Sequence, residues 1–142
     1  MIESNSPVAP SITGTGVSLI ALYVADLAKS VQFYVDGCGL SRLHDVSTDT
    51  FDAVIVGRTD DSGGGIELMR KKVPTGPIEQ GTGFAKIVLT VDDVEATTSR
   101  AVANGGSVTM APMVLEQMGG LVLSMVADPD GYTAELIQRN AS

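Results

Sequence analysis

The sequence repeats itself once, and this repeat constrains the fold more than any other feature. Residues 17–40 align with residues 84–107 at an offset of 67 positions, which matches Asp26 with Asp93. Each copy begins with a run of branched apolar residues, continues with an aspartate that can cap a helix, and ends at a glycine. A chain built from two copies of one unit is expected to fold as two similar, packed modules.

Three further strands are predicted after the helix of each copy. Their approximate ranges are 40–46, 51–57 and 64–71 in the first copy, and 107–111, 121–127 and 132–139 in the second. The copies close with GIELMRK and TAELIQR, which align Glu67 with Glu135 inside apolar strands. The predicted fold class is therefore α+β, made of two βαβββ modules.

The domain boundaries follow from the repeat. The first module is expected at 17–72 and the second at 83–139, with a linker at 73–82 that contains the sequence PTGP. Residues 1–16 are expected to form a flexible leader. Neither module is large enough for a convincing core of its own, so the two are expected to form a single domain.

Composition restricts the partners and the compartment. The net charge is −8, and apart from the run at 70–72 the nine basic residues are scattered, which argues against nucleic acid. No apolar run approaches the roughly 20 residues that cross a bilayer, and Glu3 stands where a signal peptide would be basic. The single cysteine, Cys38, excludes an internal disulfide. We expect a cytoplasmic protein whose partners are a small molecule and a second copy of the chain.

Strand alternation predicts which side chains share a sheet face. Leu19 and Tyr23 point the same way on the first strand, and Lys86 takes the position equivalent to Leu19 in the second copy. If the modules pack with pseudo-twofold symmetry, Leu19, Glu67, Lys86 and Glu135 converge. The alternative is that each charged side chain lies on a solvated sheet face.

Four segments carry a family resemblance: YVADLAKSVQFYVDGCGL, GGIELMRK, GFAKIVLTVDDV with the following NGGSVT, and DPDGYTAELIQ. They resemble the vicinal oxygen chelate superfamily, which includes glyoxalase I, bleomycin-resistance proteins and extradiol dioxygenases, and the closest type is bacterial glyoxalase I. The resemblance covers residues 17–139. It implies a glyoxalase-like fold, in which two βαβββ modules form an incomplete barrel around a pocket, and a homodimer.

The resemblance also implies four metal-ligand positions. Glyoxalase I places a histidine on the first strand of each module and a glutamate on the last, and the matching positions here are Leu19, Glu67, Lys86 and Glu135. Leucine offers no lone pair, and a lysine ammonium must lose its proton before it binds a metal. No cofactor is therefore expected, and Lys86 would supply positive charge in place of the divalent metal. His44, the only histidine, matches no ligand position.

The expected function follows from glyoxalase chemistry, which is a proton transfer next to a carbonyl group. We expect a metal-independent isomerase, epimerase or lyase acting on a small apolar carbonyl compound, with Glu67, Lys86 and Glu135 as the catalytic residues. The residues expected to bind substrate are Leu19, Tyr23, Met69, Thr90 and Met125.

Three alternatives stay open. One is a non-catalytic small-molecule or drug-binding protein of the resistance type. Another is a metal-dependent lactoylglutathione lyase or dioxygenase. In the third, the charged residues form an inert salt-bridge cluster that only holds the modules together.

Overall fold

The computed structural model contains two βαβββ modules, and it describes residues 14–60 and 62–139. The first module comprises β1 (Leu19–Tyr23), α1 (Leu27–Gln32), β2 (Ser41–Ser47), β3 (Phe51–Gly57) and β4 (Gly65–Lys71). The second comprises β5 (Ile87–Thr90), α2 (Val94–Ala103), β6 (Ser107–Leu115), β7 (Leu121–Ala127) and β8 (Thr133–Gln138). Residues 1–13 of the expected leader lie outside the described residues, and the proposed domain boundaries stay a prediction.

The modules have the same sheet topology. Each forms a four-stranded sheet, in the orders β1-β4-β3-β2 and β5-β8-β7-β6. In each sheet the first strand runs parallel to the last strand of its module, and the other pairings are antiparallel. The α+β class is confirmed. The two sheets do not close into a barrel, however, and β1 and β5 each remain at the edge of a separate sheet.

One apolar core joins the two modules. Leu22 and Leu68 of the first module and Leu136 of the second belong to the same buried cluster. Phe33 and Tyr34 are fully buried within it and contact each other edge to face, with ring centroids 4.8 Å apart. Because the buried cluster takes side chains from both modules, part of the apolar surface of each leaves water only when the modules pack together.

Aspartate side chains start both helices. The Asp26 carboxylate accepts a hydrogen bond from the Lys29 amide at 3.0 Å, and the Asp93 carboxylate accepts one from the Ala96 amide at 3.0 Å. A π-helical turn, Phe33–Gly37, follows α1 directly. In the described part of the chain no helix is long and apolar enough to cross a membrane.

Strand β6 is longer than the sequence predicts. It continues to Leu115 instead of ending near residue 111, because its antiparallel pairing with β7 resumes after register shifts around Met110. The methionine-rich segment at 110–120 is therefore mostly strand, followed by a short 3-10 turn, Glu116–Met118. Met113 and Met118 remain exposed, which leaves apolar surface on this edge of the second sheet.

Candidate functional site

The second sheet carries an ion pair between two of the predicted catalytic residues. Lys86 lies immediately before β5, and its Nζ atom is 2.7 Å from Oε1 of Glu135 on β8. Only 13% of the Glu135 side chain is exposed, against 40% for Lys86. The parallel pairing of β5 with β8 produces this contact, because it sets Val88 opposite Glu135 and brings the residue before β5 close to the same carboxylate.

Lys86 is more exposed to solvent than its apolar neighbours in the sequence indicate. Its segment reads as a buried strand from residue 84, but the strand begins at Ile87 and alternates between half-buried and exposed residues. Because β5 is the edge strand of its sheet, one side of the strand has no neighbour and the lysine reaches solvent. A partner and solvent together remove the cost of burying the ammonium group.

The first sheet presents the second carboxylate. Glu67 lies on β4 between Ala21 of β1 and Ile55 of β3, and it is half-buried. One step along the same face, Met69 lies beside Tyr23. Within residues 14–60 and 62–139, Glu67 takes part in no salt bridge.

The four positions expected to converge fall into two groups. Leu19 and Glu67 belong to the first sheet, whereas Lys86 and Glu135 belong with the second. Among these four the structure brings only Lys86 and Glu135 into a salt bridge, so Lys86 faces one carboxylate rather than two.

The predicted substrate-binding residues are distributed over the surface. Tyr23 lines a cleft of about 400 Å³ beside the linker, where Lys71 Nζ lies 4.6 Å from the centre of its ring. Thr90 lines a larger cleft, of about 710 Å³, between the modules, and Leu19 lines one of about 180 Å³. Met69 and Met125 lie next to the carboxylates, with Met125 directly opposite Glu135 across β7 and β8.

The turn at 128–132 has a larger part in the site than the sequence suggests. Its DPDGY sequence predicts only a tight turn, but Tyr132 donates its hydroxyl hydrogen to the Tyr23 carbonyl at 2.7 Å. Asp130 accepts a hydrogen bond from the Ala25 amide at 3.0 Å, directly after β1. This turn of the second module therefore fixes the end of β1, and with it the position of Tyr23.

A buried carboxylate, Asp128, links this turn to the π-helical turn that follows α1. Asp128 is 4% exposed, and its Oδ2 atom accepts a hydrogen bond from the Tyr34 hydroxyl at 2.7 Å. Burial raises the pKa of Asp128, while the hydrogen bonds from Tyr34 and two backbone amides oppose that rise. Burial also raises the pKa of Tyr34, so the phenol stays protonated and acts as the donor. Residues 94 positions apart form this contact, and no local pattern in the sequence indicates it.

Curated relatives are similar to this chain over most of its length. A protein from Synechocystis sp. named probable lactoylglutathione lyase is 35% identical over 120 residues, which are 83% of this chain and 91% of the relative. Lactoylglutathione lyase from Haemophilus influenzae is 32% identical over 124 residues, which are 85% of this chain and 90% of the relative.

A known structure shares the fold. The crystal structure of glyoxalase I from Zea mays superposes with a TM-score of 0.77 at 25% identity, over 89% of this chain and 45% of the maize chain. This chain therefore spans less than half the length of the maize chain. The superposition confirms the glyoxalase-like fold inferred from the motifs.

The relatives overturn the expectation that the protein needs no cofactor. They are named lactoylglutathione lyase, and this enzyme, glyoxalase I, is the metal-dependent type within the family. The expectation rested on the loss of two histidines, but Glu67 and Glu135 retain the oxygen donors that divalent cations bind. Within the described residues of one chain no three His, Cys, Asp or Glu side chains come together to hold a metal ion.

The match to a family model covers nearly the whole described chain. The model described as the Glyoxalase/Bleomycin resistance protein/Dioxygenase superfamily matches residues 16–136. This range contains both sheets and the Lys86–Glu135 pair. The chain therefore belongs to the Glyoxalase/Bleomycin resistance protein/Dioxygenase superfamily.

Proposed function

We propose that the protein is a lyase or isomerase that moves a proton next to the carbonyl group of a small substrate. The observation that carries this proposal is the Lys86–Glu135 ion pair, 2.7 Å long, with the carboxylate largely shielded from water. Relatives named lactoylglutathione lyase support the same reaction class. Glu67, Lys86 and Glu135 are the proposed catalytic residues.

The pair combines the two groups that such a proton transfer needs. The carboxylate acts as the general base and takes the proton from the carbon next to the carbonyl. The ammonium group stabilises the negative charge that develops on the carbonyl oxygen. Glu135 then returns the proton to the neighbouring carbon, and the hydroxyl proton of the first carbon passes to the former carbonyl oxygen, so the substrate is isomerised and the enzyme is regenerated.

A second copy of the chain is proposed to complete the pocket. The faces that carry Glu67 and Glu135 also expose large apolar side chains, with Leu19 at 40%, Tyr23 at 46% and Val88 at 49% exposure. A homodimer that packs the first sheet of one chain against the second sheet of the other would cover these side chains. It would also set Glu67 of one chain opposite the Lys86–Glu135 pair of the other.

The first substrate to test is the adduct of a 2-oxoaldehyde with a thiol. Lactoylglutathione is a 2-hydroxyacyl thioester, and the adduct becomes such a thioester when one proton moves between adjacent carbons and the hydroxyl proton moves to the former carbonyl oxygen. The apolar side of the pocket is proposed to be lined by Leu19, Tyr23, Met69, Thr90 and Met125. We propose a small apolar 2-oxoaldehyde, and several thiols should be compared.

The test is thioester formation by the wild type and two isosteric variants. Glu135→Gln removes the base and Lys86→Met removes the cation, and each should lower kcat by about 100-fold or more. Glu95→Gln and Lys29→Met change exposed residues on the two helices and serve as matched controls. Turnover by both site variants at the wild-type rate would refute the assigned roles.

Metal content is measured in the same preparations. Activity is recorded with and without added Ni²⁺ or Zn²⁺, and bound metal is counted per chain by plasma mass spectrometry. Loss of bound metal in Glu135→Gln with retention in Glu95→Gln would assign the carboxylate to a metal site. Unchanged metal content in both variants would leave Glu135 with the role of base alone.

A ligand-binding protein of the resistance type is the second candidate. The exposed apolar faces of both sheets favour it, because a pocket that only holds a ligand needs apolar surface and no base. In that case a ligand would bind equally well to the wild type, Lys86→Met and Glu135→Gln, and none of them would show turnover.

A further inference from the structure

The two modules of this chain meet at two junctions with different contents. At the first junction, the turn at 128–132 lies against the π-helical turn that follows α1: the Tyr34 hydroxyl bonds Asp128, and the Tyr132 ring packs against Phe84. The repeat places an equivalent junction where residues 58–60 and 62–64, after β3, lie near α2. That second junction should therefore contain equivalent side chains if the modules are packed in the same way.

Three replacements distinguish the second junction from the first. Ala101 stands at the position equivalent to Tyr34, and Gly64 stands at the position equivalent to Tyr132. Arg58 directly follows β3 as Asp128 directly follows β7. The second junction therefore lacks both aromatic rings, and a cation replaces the buried carboxylate.

A cleft of about 710 Å³ lies at the second junction. Its apolar walls include Val56, Ile66 and Leu89, and its polar lining includes Arg58, Thr97 and Arg100. Pockets for small organic ligands have volumes of roughly 300–1,000 Å³ and combine apolar walls with a few polar groups. Lys86 and Glu135 do not line the cleft, whereas Val88 and Thr90 do, so the cleft adjoins the proposed catalytic pair without containing it.

Arg100 is the group of the cleft that can bind a carboxylate ligand. Arg100 lies 3.4 Å from the Gly37 carbonyl oxygen and 3.5 Å from Thr97 Oγ1, both neutral oxygens. Among the described residues no carboxylate is within salt-bridge distance of Arg100, whereas the guanidinium groups of Arg42 and Arg58 each pair with an aspartate. A planar guanidinium group without a counter-ion binds a carboxylate through two parallel hydrogen bonds.

Among the described residues, Arg58, Asp92 and Asp93 are the other charged groups that line the cleft. Asp93 caps α2, and the Asp60 carboxylate is 3.1 Å from Arg58. The Arg58 side chain is 65% exposed, so its exposed ion pair can open to a ligand at little cost. Asp92 also lines the cleft and favours ligands that carry one negative charge over ligands that carry two.

We propose that this cleft binds a small organic acid with a flat apolar body and a single carboxylate. The body occupies the space at the second junction that corresponds to the Tyr34 and Tyr132 rings of the first junction. The carboxylate binds Arg100, and Arg58 closes the mouth of the cleft. At the second junction the ligand thereby takes the place of the two tyrosine rings and the Asp128 carboxylate of the first junction.

The test is a titration with 4-hydroxybenzoate, followed by calorimetry and by the amide signals of Gly39, Leu89 and Thr97. Saturable binding is expected, with shifts at all three amides. The affinity should fall about tenfold or more in Arg100→Gln and also fall in Arg58→Gln, whose side chain lies outside the core. Arg42→Gln removes the same charge from an exposed pair on β2 and should bind like the wild type.

Two further probes separate the carboxylate from the ring and from charge alone. 4-Hydroxybenzyl alcohol keeps the ring without the charge, and inorganic phosphate keeps the charge without the ring, so both should bind more weakly than the acid. The proposal is wrong if the acid does not saturate the protein below about 10 mM. It is equally wrong if the arginine variants bind like Arg42→Gln, or if phosphate binds as tightly as the acid. Because binding is the readout, the result does not depend on the proposed catalytic activity.

Discussion

Replacing Tyr34 by phenylalanine should remove the most buried polar contact between the two modules. The lost hydroxyl is fully buried and donates at 2.7 Å to Asp128, which keeps only the amides of Asp130 and Tyr132 as donors. A hydrogen bond to a charged group contributes about 1.5–3 kcal/mol, and the unpaired oxygen stays buried. We therefore expect the free energy of unfolding at pH 7 to fall by about 2–3 kcal/mol.

Tyr132→Phe is the matched control. It removes a hydroxyl that donates at the same 2.7 Å, but to the neutral carbonyl of Tyr23 in a partly exposed position. The expected loss is about 1 kcal/mol. Urea unfolding followed by circular dichroism gives both values from the midpoint and the slope. If Tyr34→Phe unfolds within about 0.5 kcal/mol of the wild type, or loses no more than Tyr132→Phe, the buried charge contributes nothing to the junction.

The pH dependence tests the same contact. Burial raises the folded-state pKa of Asp128 and the Tyr34 hydrogen bond lowers it, so Tyr34→Phe should raise that pKa further. A carboxyl group with a raised folded pKa stabilises the protein fully below its unfolded pKa of about 4 and loses this contribution as the pH rises through the folded pKa. The variant loses more stability than the wild type over this window. Its deficit should therefore be small near pH 4 and complete at pH 7, and a constant deficit would contradict this interpretation.

Three further predictions concern packing, thiol exposure and assembly. Gly106→Ala should cost at least about 2 kcal/mol in thermal unfolding, because a Cβ there would lie 2.5 Å from the Phe33 ring, while Gly83→Ala, with no atom within 4 Å, should change little. Equal melting temperatures would contradict this. Burial raises the pKa of Cys38 to about 12, so a disulfide reagent should modify it slowly in the native protein and rapidly in urea, and fast native labelling would disprove its burial. Val88→Asp should convert the proposed dimer to monomers in sedimentation, with loss of turnover, and an unchanged mass would place the interface elsewhere.

The sequence predicts the modules well because the repeat encodes local structure twice. Strand β3 occupies residues 51–57 as predicted, and the helix after Asp26 begins as predicted. For the second helix, Asp92 and Glu95 have capping-box spacing, whereas the repeat aligns Asp26 with Asp93, and Asp93 is the cap. Asp92 and Asp93 are both good capping residues, and only the folded backbone decides that the Asp93 side chain reaches the Ala96 amide.

Contacts between the modules are where sequence reasoning fails. Alternation along β5 indicates which residues share a face, but it does not indicate that β5 is an edge strand and that Lys86 reaches solvent. The residues of the DPDGY motif form a turn in either case. Asp128 is buried because this turn packs against the π-helical turn after α1, where Tyr34, 94 positions away, bonds its carboxylate.

The difference between Leu19 and Lys86 has a consequence for the proposed pocket. These residues occupy equivalent positions of the repeat, one apolar and 40% exposed, the other cationic and paired with Glu135. A dimer that combines the first sheet of one chain with the second sheet of the other therefore forms a pocket with an apolar side and a charged side. In the proposed dimer, Lys86 would stabilise a carbonyl oxygen that gains negative charge, and Leu19 would face the apolar group of the substrate. The difference between these two equivalent positions would then set the direction in which the proposed pocket binds its substrate.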